Sequence, residues 1–300
     1  MVLADGQGGL LARADGGPGN YQQLGAEKLA GVLAELLAEM QPSAVPTVLC
    51  AGVAGAGRAP EQLALEKQLL SQGLARRALI VSDARAALEG AHGGRPGIVC
   101  IAGTGSMVLG RNAAEEEARA GGWGPTLGDD GSAYALAIAG IKMALQAVDG
   151  SGRETRLQSD LLEALELSAW SEIIGAIYGG SLSRERVAKA CPAVFLAARC
   201  GDEVALEVVA SGGRALGAQI AAVARRLHLG MSPPVACVGG VFAELDYLTP
   251  SLAAGAGECA PELCRPELSA EWGALLLALS AGGIRPPAAV INSWDRALEP

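Results

Sequence analysis

Continuous apolar runs and helical repeats both occur in the first hundred residues. Residues 47–51, 78–82 and 98–102 are largely apolar runs of strand length, which predict three buried β-strands. Residues 29–40 and 61–72 place apolar side chains three and four positions apart, which predicts helices. Strands that alternate with helices are typical of an α/β fold.

Elsewhere along the chain the pattern predicts a hairpin, a helical segment, one further strand and a last helix. Residues 1–15 hold two apolar stretches around the Gly-rich turn 5–9, which favours a β-hairpin. Residues 129–229 have mainly helical spacing, residues 235–238 predict a buried strand, and residues 269–281 predict a last helix.

Two domains are expected, because 300 residues exceed what one hydrophobic core usually covers. Glycine and proline cluster at residues 90–97, which favours a linker there. The predicted division is an N-terminal domain at 1–96, a C-terminal domain at 97–283 and a tail at 284–300. Two similar α/β halves are indicated by three strands that end on glycine, at Ala51 and Gly52, Ala102 and Gly103, and Val238 and Gly239.

Composition excludes several classes of protein. Half of the residues are apolar, which excludes an unfolded chain, and the net charge of −9 argues against a nucleic-acid partner. No apolar stretch reaches the roughly 18 residues of a membrane span, and no basic region opens the chain as in a secretory signal. The seven scattered cysteines lack a Cys-x-x-Cys pair, which predicts reduced thiols, no metal site and a cytoplasmic location.

The predicted strand at 98–102 runs into Gly103, Thr104, Gly105 and Ser106. Two glycines leave backbone N–H groups accessible beside two hydroxyls, a combination that can bind a phosphate. The lysine of a P-loop and the third glycine of a dinucleotide fingerprint are absent. The alternative is an ordinary hairpin turn, since another apolar stretch follows.

Asp83 directly follows the predicted strand at 78–82. The carboxyl ends of strands are where α/β sheets place ligand-contacting residues, and a carboxylate there can accept a hydroxyl proton during phosphoryl transfer. The alternative role is a helix N-cap, which aspartate often fills between a strand and a helix. Taken alone, Asp83 favours the cap.

Residues 121–132 contain five glycines, four of them within five residues of Trp123, and two acids, Asp129 and Asp130, before a helix. Close backbone approach and a carboxylate that accepts from paired hydroxyls suit a sugar site. A structural loop with Asp130 as the helix N-cap is the alternative. Gly239 and Gly240 suit contact with the nucleoside of a nucleotide, although two glycines alone are weak support.

Taken together and in order, these motifs resemble one family. They are similar to the N-acetylglucosamine kinases of the BadF/BadG/BcrA/BcrD-type ATPase family, which has the sugar-kinase, Hsp70 and actin fold. The resemblance extends from about Val2 to Gly283. It rests on Asn20, on Ser82 to Ala84, on Ala102 to Ser106, on Gly121 to Gly124, on Gly128 to Tyr134 and on Cys237 to Val241.

The resemblance implies an α/β protein of two ribonuclease-H-like (actin-like ATPase) domains with a central cleft. It also implies phosphorylation of N-acetylglucosamine, or a close hexosamine, at the 6-hydroxyl by ATP with Mg²⁺, with Asp83 as the catalytic base. The sugar contacts would be Asn20, Gly122, Trp123, Gly124 and Asp129. The ATP contacts would be Gly103, Thr104, Gly105, Ser106, Ala188, Gly239 and Gly240. The expected partner is an amino sugar, with no nucleic acid and no membrane, and a homodimer is compatible with the sequence.

The start of the chain departs from the family. Family members open with a strand that carries an acidic residue and a Gly-rich loop for phosphate and magnesium, and residues 1–15 match the part after that loop. The first strand of the N-terminal domain is therefore expected to be missing, which would leave two neighbouring strands unpaired. A true start upstream of Met1 is the favoured explanation, and a non-catalytic relative is the alternative.

Two other functions stay open. A sugar sensor would keep Asn20, Trp123 and Asp129 but transfer no phosphate. An ATPase activator of a radical dehydratase, from the same family, would need cysteines from two subunits around an iron–sulfur cluster. Cys50 and Cys100 lie in predicted buried strands, which argues against that activator.

Overall fold

The computed structural model describes residues 1–296, and the chain divides into two compact units. The first unit is Met1–Pro96 together with the chain from Pro266 onward, and the second unit is Gly97–Arg265. The sequence-based division assigns residues 266–283 to the second domain, whereas the structure groups them with the first unit. No helix within residues 1–296 is long and apolar enough to cross a membrane.

The elements follow one another in three blocks. The first unit begins with β1 (Val2–Ala4), β2 (Leu10–Arg13), α1 (Tyr21–Glu39), β3 (Val48–Val53), α2 (Ala59–Ser71), β4 (Arg77–Ser82) and α3 (Asp83–Ala91). The second unit contains β5 (Gly97–Ala102), β6 (Ser106–Arg111), β7 (Glu117–Gly121), α4 (Ala133–Val148), α5 (Leu157–Leu165), α6 (Ile173–Tyr178), α7 (Arg184–Lys189), α8 (Cys191–Arg199), α9 (Glu203–Arg226), β8 (Pro234–Val238), α10 (Leu245–Ala256) and β9 (Glu262–Cys264). The chain returns to the first unit with α11 (Ala270–Ala281) and α12 (Ala288–Arg296). The predicted hairpin, buried strands and helical segment are confirmed.

The strands of the first unit form two separate ladders. β1 pairs antiparallel with β2, and β3 pairs in parallel with β4. Among the described residues neither β1 nor β3 has a second strand partner, and both line a cavity of about 470 Å³. Helices α1 and α11 supply apolar walls to the same cavity, including Leu33, Leu36 and Leu275. The resemblance implies a missing strand with two unpaired neighbours, and the gap that such a strand would fill therefore lies between β1 and β3.

Strands β1 and β3 each have a strand partner on one side only, which predicts fast hydrogen exchange of their amides. We expect the amides of β1 and β3 to be protected at least about tenfold less than those of β5, which has a strand on each side. Peptide-resolved hydrogen–deuterium exchange measures this, with β6 as the doubly paired control. Protection of β3 equal to that of β5 would contradict an open gap.

The second unit is built on one five-stranded sheet with the order β7-β6-β5-β8-β9. The central strand β5 runs antiparallel to β6 and parallel to β8. Its residues Ile98, Val99 and Cys100 are fully buried, as expected for the apolar run that predicted this strand. Because β5 and β8 are parallel, the loops that follow them leave the same edge of the sheet.

Close helix packing explains why α11 and α12 belong to the first unit. Gly273 lets α11 touch α3, because a Cβ there would lie 1.9 Å from the Ala86 carbonyl oxygen. Trp272 stacks on Trp294 of α12 with ring centroids 5.3 Å apart, and Trp294 Nε1 donates to the Gly8 carbonyl oxygen at 2.9 Å. The predicted linker is corrected at its start, because residues 90–92 are buried at the end of α3.

Asp202 caps α9 and links it to the loop before α5. Its carboxylate accepts from the N–H groups of Ala205 (2.9 Å) and Arg156 (2.8 Å) and from Thr155 Oγ1 (2.9 Å). Burial acts to raise the pKa of Asp202, but these hydrogen bonds outweigh it and lower the pKa below its ordinary value. A carboxyl whose pKa is lower in the folded state stabilises the fold above its unfolded pKa, and this stabilisation is lost as pH falls through the folded pKa.

Asp202→Ala is expected to lower the free energy of unfolding by about 0.5–2 kcal/mol at pH 7, the range for losing a helix N-cap. The difference from wild type should shrink as pH falls from about 4, the pKa of an unfolded aspartate, through the lower pKa of the folded carboxyl. Urea unfolding at several pH values measures both effects. Asp149→Ala is the matched control, since Asp149 is exposed at the end of α4. A difference that stays constant with pH would refute the role assigned to the charge.

Candidate functional site

Two backbone hydrogen bonds of Gly103 fix the turn between β5 and β6. The Gly103 N–H donates to the Gly105 carbonyl oxygen at 2.9 Å, and the Gly103 carbonyl oxygen accepts from the N–H of Ala133, the first residue of α4, at 2.8 Å. The segment is therefore a hairpin turn, as its alternative interpretation states, and Gly103, Thr104 and Gly105 are partly exposed. Ser106 is buried, and its hydroxyl donates to the Asp130 carbonyl oxygen at 2.8 Å, which ties the turn to the loop before α4.

The second glycine loop lies beside this turn. Ile101 of β5 pairs with Val238 of β8, so the two strands end together. Gly239 has a φ of 115°, and a Cβ there would lie 2.4 Å from the Ala102 carbonyl oxygen. Gly240 faces open space. Two glycine loops distant in sequence thus meet at the carboxyl edge of parallel strands, where α/β sheets bind ligands.

Asp129 connects the Trp-containing loop to the same turn. It is buried with a φ of 60°, and its Oδ1 accepts from the Gly124 N–H at 3.3 Å. A Cβ on Gly105 would lie only 2.9 Å from Asp129 Oδ2, so glycine is required for this approach. The carboxylate predicted to bind sugar and the turn predicted to bind phosphate are therefore neighbours in the second unit.

Trp123 is exposed for 66% of its surface, an unusual state for so large an apolar ring. The Arg119 guanidinium lies 4.8 Å from the centroid of the indole. Gly122 has a φ of 71°, and a Cβ there would lie 2.9 Å from Met107 Sδ, so the loop turns where only glycine fits. The loop presents an aromatic face next to accessible backbone, which suits a sugar ring.

Neither Asp83 nor Asp130 serves as a helix N-cap, the alternative role that the sequence leaves open for each of them. Ser82 caps α3, and its hydroxyl accepts from the Arg85 N–H at 3.1 Å. Asp83 is instead the first helical residue; it is exposed, and its Oδ1 accepts from the Ala84 N–H at 2.9 Å. The cap interpretations of Asp83 and Asp130 are therefore wrong, because serine fills both positions: Ser132 caps α4 by accepting from the Ala135 N–H at 3.1 Å.

Asp83 and Asn20 belong to the first unit. Asp83 follows β4, and β3 is the parallel neighbour of β4. Glycine at position 52 of β3 permits a close approach to α3, because a Cβ there would lie 2.6 Å from Ala86 Cβ. Asn20 caps α1, and its Oδ1 accepts from the Gln22 N–H at 2.9 Å. This use of Oδ1 leaves the amide nitrogen of Asn20 available to a ligand.

Ala188 is buried on α7, so its contribution to a nucleotide site rests on where it places that helix.

Sequence reasoning missed Arg184, which lies four residues before Ala188 on the same helix. Its Nη2 donates to Asp129 Oδ2 at 2.5 Å. No local sequence signal points to this contact, because the two residues are distant along the chain and meet only through the packing of α7 on α4.

Several of the cysteine thiols are buried or partly buried. Burial raises the pKa of Cys50, Cys191 and Cys237 to about 12, and it also raises the pKa of Cys100 well above its ordinary value. Such thiols stay protonated at neutral pH and are poor metal ligands. Within residues 1–296, no group of three or more His, Cys, Asp or Glu side chains is placed to hold a metal ion. The dehydratase-activator alternative is not favoured.

The architecture and the two glycine loops define an actin-like ATPase of the sugar-kinase type. The chain belongs to the BadF/BadG/BcrA/BcrD ATPase family, whose model matches residues 1–278. It is 34% identical over 238 residues to the N-acetylmuramic acid/N-acetylglucosamine kinase of Clostridium acetobutylicum, covering 77% of this chain and 78% of that protein. It is 29% identical to the N-acetyl-D-glucosamine kinase of Dictyostelium discoideum, covering 93% and 94% respectively.

A solved structure supports the same grouping. A protein from Chromobacterium violaceum, provisionally identified as an N-acetylglucosamine kinase, superposes with a TM-score of 0.70 at 28% identity. The superposition covers 90% of this chain and 91% of that one. The predicted fold class is therefore confirmed.

Proposed function

We propose that this chain is an ATP-dependent hexosamine kinase that phosphorylates N-acetylglucosamine, or a close hexosamine, at its 6-hydroxyl. The observation that carries the proposal is the second unit's Asp129 carboxylate beside the Gly103–Gly105 turn, which supplies a hydroxyl acceptor next to a phosphate-binding backbone. The names of the relatives in Clostridium acetobutylicum and Dictyostelium discoideum support an acetylated amino sugar as substrate.

In this proposal Asp83 is the catalytic base. Its exposed carboxylate accepts the proton of the sugar 6-hydroxyl while the oxygen attacks the γ-phosphorus of ATP. A new P–O bond forms to the sugar, the bond between the γ-phosphorus and the bridging oxygen breaks, and ADP leaves with the electron pair. Asp83 then returns the proton to solvent, which restores the carboxylate.

The glycine loops hold the nucleotide. Backbone N–H groups of Thr104 and Gly105 donate to phosphate oxygens, Gly103 leaves open space for their approach, and Gly239 and Gly240 lie against the nucleoside. The described side chains do not fit a protein cage for magnesium, since they include no cluster of three ligands. The ion is therefore assigned to the substrate, as magnesium–ATP. Use of ATP together with free cysteines supports a cytoplasmic location.

The sugar is bound by complementary groups. The carboxylate of Asp129 has lone pairs beyond its present hydrogen bonds and accepts from sugar hydroxyls. The exposed ring of Trp123 packs on the apolar face of the sugar or its acetyl group. Asn20 donates from its free amide nitrogen.

ADP release measured with several sugars tests the substrate assignment. We expect turnover with N-acetylglucosamine and N-acetylmuramic acid, much less with glucosamine or glucose, and a product phosphorylated at O6 by phosphorus-proton NMR. Equal turnover with glucose would contradict an acetylated amino sugar as the preferred substrate. A sugar sensor would differ in this assay, since it would bind N-acetylglucosamine in calorimetry without ADP release.

A further inference from the structure

Arg184 contacts both binding elements of the second unit. It is the first residue of α7, and its Nη2 donates to Asp129 Oδ2 at 2.5 Å and to the Thr104 carbonyl oxygen at 3.4 Å. Its guanidinium carbon lies 5.8 Å from the centroid of the Tyr134 ring. One side chain therefore touches the acid proposed to bind the sugar and the turn proposed to bind phosphate.

Most of the donor capacity of this guanidinium is unused. Both hydrogen bonds of Arg184 come from Nη2, and Nε is buried without a partner among residues 1–296. A buried donor that lacks an acceptor is destabilising. An unused donor at a binding site is typical of a group that meets its acceptor when the ligand arrives.

The missing acceptor is best supplied by a phosphoryl group. A guanidinium presents its donors in a planar fork that matches phosphoryl oxygens. Gly105 keeps the guanidinium close to the turn, since a Cβ there would lie 2.7 Å from Arg184 Nη2. In the proposed reaction the phosphoryl group passes from a nucleotide at the turn to a sugar held by Asp129, and Arg184 touches both of these elements.

We infer that Arg184 binds the phosphoryl group in transfer, an inference that rests on the proposed function. In the free protein Arg184 pairs with Asp129. When sugar hydroxyls engage Asp129, the guanidinium donates to the γ-phosphoryl oxygens of ATP and stabilises the charge that develops on them. Arg184 is then a catalytic residue that also couples sugar binding to nucleotide binding.

Nucleotide binding tests this role without requiring turnover. Calorimetry would compare a non-hydrolysable ATP analogue with ADP on the full chain, in wild type, Arg184→Gln, Arg184→Lys and Arg186→Gln. Arg186 is the matched control, because it lies on the same helix and pairs with Glu166 at 2.9 Å, away from the turn. We expect wild type and Arg186→Gln to bind the analogue more tightly than ADP, and Arg184→Gln to bind both equally.

The remaining readouts separate a phosphoryl contact from a structural role. Arg184→Gln should lower kcat by about 10²-fold or more while sugar affinity without nucleotide stays near the wild-type value. Arg184→Lys keeps a charge beside Asp129 and should show a reduced preference for the analogue. A full preference in either folded Arg184 variant, or none in wild type, would overturn the inference.

Loss of sugar affinity with an unchanged nucleotide preference would reduce Arg184 to a positioning residue for Asp129, which also overturns the inference. Failure of the proposed function would appear separately, as wild-type chain that releases no sugar-dependent ADP. The nucleotide comparison can be made in either case.

Discussion

Asp83→Asn is expected to lower turnover by about 10²-fold or more while N-acetylglucosamine binding is retained. Asparagine has the shape of aspartate but cannot accept the proton of the attacking hydroxyl. The fold should tolerate the change, because Ser82 caps α3 and an asparagine oxygen can still accept from the Ala84 N–H. The measurement is steady-state ADP release together with sugar binding by calorimetry.

The matched control for Asp83 is Asp15→Asn, another exposed acid of the first unit, which pairs with Arg13 at the surface. It should leave turnover unchanged. Loss of the Asp83 charge from the first turn of α3 should cost at most about 1 kcal/mol of stability. Wild-type turnover in Asp83→Asn would remove the residue from the chemistry and leave it as a charge at a helix start.

Asp129→Ala is expected to weaken sugar binding by about 1.5–3 kcal/mol, the range for losing a hydrogen bond to a charged group. That corresponds to roughly 10- to 150-fold in Kd. The effect should be large because this carboxylate is buried and the Gly124 N–H holds its Oδ1 in place. Calorimetry with N-acetylglucosamine in the absence of nucleotide gives the affinity directly.

Asp130→Ala is the matched control for Asp129, since the next acid in the chain is exposed and the local structure uses only its backbone carbonyl, which accepts from Ser106. Its sugar affinity should equal that of wild type. Unchanged affinity in Asp129→Ala, or an equal loss in both variants, would show that the carboxylate of Asp129 does not bind the sugar.

Much of the fold could be predicted because buried strands leave a strong local pattern. The run at residues 98–102 predicted β5, and every residue of that run except Ile101 is buried. β7 and β9 were missed, since they are short, partly exposed and carry charges. The packing of α11 in the first unit depends on Gly273 and Trp294. Both contact residues that are distant from them in the sequence, so no local pattern could predict this packing.

The candidate site was likewise predictable from the sequence only in part. The glycine loops after β5 and β8 were predictable, because glycine at the end of a buried strand is a local signal. The serine caps were not predicted, since aspartate and serine are equally good caps and only the backbone geometry selects Ser82 and Ser132. Arg184 could not be found at all, because an arginine at the start of a short helix is ordinary until packing brings it to Asp129.

The most direct test of the hexosamine-kinase assignment is ADP release by the 300-residue chain with magnesium–ATP, in the presence and absence of N-acetylglucosamine. Sugar-dependent release, lost in Asp83→Asn and unchanged in Asp15→Asn, is the predicted result. Absence of release from folded protein that binds the sugar would contradict the kinase and favour the sugar sensor.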